Sequence, residues 1–186
     1  MRGSRGLWLT FALAIAAALI VVPIGVARSR ANASTRASPG PSVAAATPGW
    51  RTYTPDDGSF QVTGPEQVHS STLTTGIGPA RRVEFGDGTL SVTWLDAPGF
   101  GSDAQALEAG KSSLLRPLVG RMADEEVDLL DNGHPGFGLL ITIEGTSYDV
   151  RLFAANGRLF QVVGQAPAGS PQVADAIRFV DSFELG

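Results

Sequence analysis

The chain has no cysteine among its 186 residues. That excludes disulfides, thiolate nucleophiles, cysteine zinc sites and a lipid anchor carried on an N-terminal cysteine. Histidine is scarce, with only His69 and His134. Lys111 is the only lysine, an arginine bias that fits a GC-rich bacterial genome. Acids are missing from the first 36 positions, where Arg2, Arg5, Arg28, Arg30 and Arg36 are the only charges. The other 150 residues therefore hold nine basic side chains against all 18 acids, a net of −9. Such a domain repels phosphate backbones, so nucleic acid is excluded as a partner.

Catalytic signatures are missing as well. There is no Gly-x-Ser-x-Gly elbow for a nucleophilic serine. Gly76 and Gly78, or Gly133, Gly136 and Gly138, lack the full spacing and the following helix of a phosphate loop. His134, in Asp131-Asn132-Gly133-His134-Pro135-Gly136, reads as part of a strand-connecting turn, and His69 stands alone among serines and threonines. Asp124, Glu125, Glu126 and Asp128 form the densest acidic run, but Leu130 falls where a calcium loop needs its next oxygen ligand. A solvated strand edge, guarded by charge, accounts for the run. Phe100 between Gly99 and Gly101 reads as packing back on a helix start near Leu107, with an exposed contact residue as the alternative. No catalytic, cofactor-binding or metal-binding residue is assigned, and a non-enzymatic chain is expected.

One long apolar run is present. Leu7 to Ala27 carries no charge and is just long enough for a helix across the hydrocarbon core, which takes about 20 residues. Arginines directly after it favour an uncleaved signal-anchor. Cleavage after Gly25-Val26-Ala27 or Ala31-Asn32-Ala33, releasing a secreted protein, is the alternative. The flanking charges nearly balance, so orientation rests on the closeness of the segment to Met1, which sends the domain outside the cytoplasm. Residues 28–49 are nearly all Ala, Ser, Thr, Pro, Gly and Arg. They form a disordered tether, since nothing in them offsets the entropy of an ordered backbone. Asn32-Ala33-Ser34 matches a glycosylation sequon, relevant only in a eukaryotic secretory route.

From Trp50 to the end the pattern is that of one α+β domain. Phe60 and Val62 alternate with polar residues; so do Val83 and Phe85, then Leu90, Val92 and Trp94 beyond a turn at Asp87-Gly88. The device repeats with Leu139, Ile141 and Ile143, a turn at Glu144-Gly145, then Tyr148, Val150 and Leu152. Asn156-Gly157 then leads into Leu159–Val163, an antiparallel meander. Ser102 with Gln105 predicts a capped helix fading near Arg116, with Leu107, Leu114, Leu115 and Leu118 on one face. Ser170 as N-cap and Pro171 at the first position predict a last helix buried through Val173, Ile177 and Val180. Strands apolar on both faces need a helix on each.

These residues resemble a known family. Tyr53-Thr54-Pro55-Asp56-Asp57-Gly58-Ser59-Phe60-Gln61-Val62, with Pro65, is similar to the first hairpin of PsbP-like domains. So is the close: Gly157-Arg158-Leu159-Phe160-Gln161-Val162, then Pro167 and a helix ending Phe179-Val180-Asp181-Ser182-Phe183. The superfamily includes the extrinsic photosystem II subunit, a Ran-binding nuclear transport factor and many bacterial envelope proteins. The resemblance spans Trp50 to Leu185 and implies an α/β/α sandwich around an antiparallel sheet, serving as a non-enzymatic binding or accessory module. Many bacterial relatives are lipoproteins; without cysteine, this chain has only its apolar segment as an anchor. The functional expectation is a membrane-tethered, extracytoplasmic accessory domain that binds another envelope protein and takes no cofactor. An exported carrier of a small molecule or lipid is the alternative, and an enzyme of unknown class the second.

Overall fold

The computed structural model describes residues 49–75, 78–118 and 125–186. The apolar segment Leu7–Ala27, the tether up to Pro48 with its sequon, Gly76 and Asp124 lie outside them. No helix among the described residues is long and apolar enough to cross a membrane.

In chain order the strands are β1 (Trp50–Tyr53), β2 (Phe60–Pro65), β3 (Val68–Thr75), β4 (Gly78–Phe85), β5 (Leu90–Asp96), β6 (Glu125–Asp131), β7 (His134–Ile143), β8 (Thr146–Ala155), β9 (Arg158–Pro167) and β10 (Glu184–Leu185). Helix α1 (Asp103–Leu115) joins β5 to β6, and α2 (Gln172–Asp181) follows β9. Seven strands form the main sheet in the order β3-β4-β5-β9-β8-β7-β6, all antiparallel, and β1-β2-β10 form a small one. The architecture is α+β.

The helix between β5 and β6 divides the antiparallel meander in two. Two meanders, β3-β4-β5 and β6-β7-β8-β9, meet through β5 and β9, whose registers pair Leu90 with Gly164 and Asp96 with Arg158. The helical crossover α1 makes this possible by carrying the chain from the centre of the sheet to its far edge.

The turn chemistry explains the hairpins. Asn132-Gly133, Glu144-Gly145 and Asn156-Gly157 all have positive φ at both positions (49° and 84°, 51° and 79°, 54° and 74°), as the two-residue type I′ turn requires. At Asp87, the carboxylate instead accepts bonds from the amide and hydroxyl of Thr89 (3.1 and 2.7 Å), within a four-residue loop.

Alternation divides the sheet into two faces. One is covered by α1: Leu159, Ala154 and Leu95 pack with Ala106, and Leu139, Val150 and Leu152 pack with Leu114. Leu107, Leu115 and Leu118 join that cover as half-buried residues, as their spacing predicts. Ser102 caps α1 by accepting from the Gln105 amide at 3.3 Å, and Gln105 Oε1 reaches back to the Gly101 amide at 3.0 Å. Phe100 is half-buried against the same cluster as Leu107, which agrees with the packing reading. The other face carries the main core, where Phe60, Phe85, Trp94, Phe153, Phe160, Phe179 and Phe183 meet in edge, tilted and stacked pairs 5.1–6.1 Å apart.

Helix α2 departs from expectation in two ways. It starts at Gln172, with Pro171 already helical (φ −62°, ψ −23°) and no side-chain cap. The Ser170 hydroxyl is buried without a partner, because the carbonyls of Ser170 and Pro171 take the amides of Val173 and Ala174 at 3.2 Å in a tight first turn. The buried residues are Ala176, Phe179 and Val180, while Ile177 is 38% exposed. The cause is Gly164 of β9, whose missing side chain lets the helix backbone settle at Ala176 and turns Ile177 outward to the rim.

Candidate functional site

The residues singled out by chemistry do not converge. His69 lies exposed on β3, at one edge of the sheet. His134 opens β7, and its Nδ1 stands 3.6 Å from Asp103 Oδ2. The Asp103 carboxylate also accepts the amides of Asn156 and Gly157 at 3.2 and 3.1 Å. That group therefore ties the start of α1 to the tip of the β8–β9 hairpin. The described members of the acidic run lie on β6, the opposite edge of the sheet; Glu126 and Asp128 are exposed. Gly136 and Gly138 are strand residues of β7, and Gly133 belongs to a turn. Among the described residues no group of three or more His, Asp or Glu is placed to hold a metal ion.

A charge network closes the end of the sheet near the β1–β2 loop. Arg158 donates to Asp96 and Asp57, both at 2.8 Å, and Arg81 stands 3.6 Å from Asp57. Burial alone would raise the Asp57 carboxyl, but hydrogen bonds from Ser59 and Arg158 outweigh it and hold it below the usual carboxylate value. The bond to Asp96 raises Arg158, with Asp57 adding to it against a smaller burial effect. At the same end Asp131 accepts the Leu185 amide at 2.7 Å and Asn132 donates to the Leu185 carbonyl at 2.8 Å. These contacts clasp turns and the C-terminal strand together.

The concave feature lies elsewhere, between α2 and the outer half of the core-side face. Register places Val127, Gly138 and Arg151 in one cross-strand row, with Leu140 and Asp149 paired in another. A Cβ at Gly138 would come within 2.9 Å of Val127 Cγ2 and 3.3 Å of Leu129 Cδ1. The glycine therefore makes room for those two side chains to lean inward. Together with Leu139 and Ile177 these residues line a cleft of about 260 Å³. Arg151 pairs with Asp181 of α2 and lies 3.8 Å from Asp149, which ties helix to sheet beside the cleft. An open depression of about 530 Å³ continues over Ala174, Ile177, Arg178, Asp181 and Ser182. Beyond it the Arg178 guanidinium stacks on Trp50, 4.5 Å from the ring centroid.

Chemically this is an apolar slot with a charged rim, suited to hold an aliphatic or aromatic side chain. Of its residues, the sequence pattern places Leu139 on a strand stripe and Ile177 on a helix stripe, and marks Gly138 only as a glycine without phosphate-loop spacing. The available signal was Val127 and Leu129 alternating within an acidic run, opposite the i, i+2 glycines of β7.

No protein-family model matches the chain, and a comparison with curated proteins finds no match. Among solved structures, the chain is similar to the solution structure of cyanobacterial PsbP from Synechocystis sp. PCC 6803, with 9% identity and a TM-score of 0.48 over 79% of this chain and 98% of that one. It is also similar to PA94, a protein of unknown function from Pseudomonas aeruginosa, with 11% identity and a TM-score of 0.37 over 69% and 94% of the two chains.

Proposed function

We propose that this chain is a membrane-tethered accessory domain that binds an extended segment of another envelope protein in the cleft beside Ile177. The observation that carries the reading is the cleft itself. Val127 is 36% and Ile177 38% exposed on its rim, and partly exposed apolar residues around a slot are a common mark of a protein contact. The domain's net charge of −9 favours a segment that presents an apolar side chain beside a basic one. Leu7–Ala27 would hold the domain at the membrane, outside the cytoplasm. A carrier function fits less well. The cleft of about 260 Å³ and the depression of about 530 Å³ beside it are both open to solvent, whereas small-molecule sites bury most of the ligand's surface.

The test is photo-crosslinking in intact source cells, with the reactive residue placed at Ile177 or Val127 and, as control, at the exposed Glu108 on α1. Recovery of one partner from the cleft positions and not from Glu108 supports the reading; equal or empty recovery at all three removes it. Protease shaving of the same cells, with the retained N-terminal peptide read by mass spectrometry, separates an outward-facing anchored domain from a cleaved or cytoplasmic one.

A further inference from the structure

Outer strand β6 offers two different faces to a strand laid beside it. Asp131 pairs with His134 across the two-residue turn, so the residues bonded to β7 are Asp131, Leu129, Val127 and Glu125. By alternation the backbone N–H and C=O groups of Glu126, Asp128 and Leu130 point away from β7. Among the described residues no strand pairs with that side. Register puts Glu126 beside Leu139 and Asp128 beside Phe137, on the face covered by α1. Val127 and Leu129 pair with Gly138 and Gly136 on the opposite face, where they line the cleft. Glu126, Asp128 and Leu130 are exposed, Leu130 to 76%. From Glu126 to Leu130 an added strand therefore meets acid, apolar, acid, apolar and apolar residues in turn.

We infer that the segment held at the cleft joins β6 as a further strand of the sheet, and that it alternates basic with apolar residues. This rests on the cleft being the partner's contact surface and adds how the partner is recognised. Directly opposed residues share a face of the joined sheet. Basic side chains opposite Glu126 and Asp128 form cross-strand ion pairs, while the apolar residue between them comes down beside Val127 at the cleft. Main-chain bonds to β6 give affinity whatever the sequence, and the alternate side chains supply the selection. Charge chooses this occupant. Acids at alternate positions reject an acidic strand, including any from a domain with this one's net charge of −9, and admit a basic one. Strand β3, at the other edge, has no acid, lysine or arginine and makes no such choice.

The test uses the full-length protein in non-ionic detergent and a labelled synthetic peptide, Thr-Val-Lys-Val-Lys-Val-Thr, with binding read by fluorescence anisotropy. Its near-symmetric pattern fits β6 in either strand direction. It should bind more tightly than the block isomer Thr-Lys-Lys-Val-Val-Val-Thr and than Thr-Val-Glu-Val-Glu-Val-Thr. Glu126→Gln with Asp128→Asn should weaken it about fivefold, since each exposed ion pair is worth a factor of roughly two to three. Asp56→Asn with Glu108→Gln, the same charge change at exposed acids elsewhere, should leave binding unchanged. N-methylation of one alternate set of peptide amides should abolish binding and that of the other set should spare it, the period-two signature of strand pairing. No binding of the alternating peptide, equal loss in the two double variants, or equal effects of the two methylated sets each overturns the inference. If these tests fail while Ile177 cross-links a partner, strand addition falls and the cleft keeps its partner; if Ile177 cross-links nothing, both fall.

Discussion

The backbone of Ala176 in α2 lies directly over Gly164 in β9: a Cβ at position 164 would stand 2.6 Å from the Ala176 carbonyl oxygen. The contact is with main chain, which has no rotamer to yield. It sets the depth at which α2 rests, and therefore the outward position of Ile177 at the cleft rim.

Gly164→Ala should accordingly destabilise the protein by about 2–3 kcal/mol, at the upper end of overpacking costs, since the helix must lift. Chemical denaturation measures it. An unchanged midpoint would show that α2 shifts freely and that this contact does not position Ile177.

Gly138→Ala makes a different case. Its added methyl meets Val127 Cγ2 at 2.9 Å, a side-chain end that can move. The expected stability loss is below about 1.5 kcal/mol, while the displaced Val127 and Leu129 change the shape of the slot. Cross-linking from Ile177 to the partner should therefore fall sharply in a protein that remains folded. Full retention of cross-linking with normal stability would place partner contact outside the cleft.

The charge network makes an acid-range prediction. Asp57 titrates below its ordinary value of 3.8 in the folded protein. A depressed carboxyl adds stability above 3.8 that is lost as pH falls through the lower folded value. Asp57→Asn should be less stable than the parent at pH 7 by about 0.5–1 kcal/mol, allowing for solvent screening of a side chain 29% exposed. The difference should shrink as pH drops below about 4. Paired denaturation curves at pH 7 and pH 3 test it, and a gap that widens toward pH 3 would contradict the assigned cause.

Local chemistry made much of this fold readable in the sequence. Asn156-Gly157 announces its hairpin because both residues tolerate positive φ, and Ser102 announces α1 because its hydroxyl accepts an amide three residues on. What escaped depends on distant partners. The pairing of β5 with β9 joins Leu95 to Leu159 and has no local signature. β3 hides because an outer strand of serines and threonines buries little and so lacks a sharp apolar alternation. The burial stripe of α2 was misplaced onto Ile177 because helical period fixes spacing, whereas the facing element, here Gly164, fixes rotation. The cleft escaped for a related reason: it is defined by an absent side chain at Gly138 and by the gap between two elements.

Glu144 provides a final test of the turn argument. It sits at φ 51° in the exposed Glu144-Gly145 turn, a backbone region that costs most L residues roughly 1–2 kcal/mol. Asparagine holds the equivalent place at Asn132 and Asn156, with φ of 49° and 54°. Its short amide tolerates the left-handed conformation better than a glutamate side chain does. The Gly145 carbonyl also accepts the Ala168 amide at 2.8 Å, so the turn is fixed by the structure around it and will not relax to another type. Glu144→Asn should therefore stabilise the protein by about 0.5 kcal/mol, with Glu144→Val destabilising by a larger amount because β-branching worsens the same conformation. Urea denaturation of the three proteins ranks them. If asparagine proves no better than glutamate, intrinsic backbone preference is not what limits this hairpin.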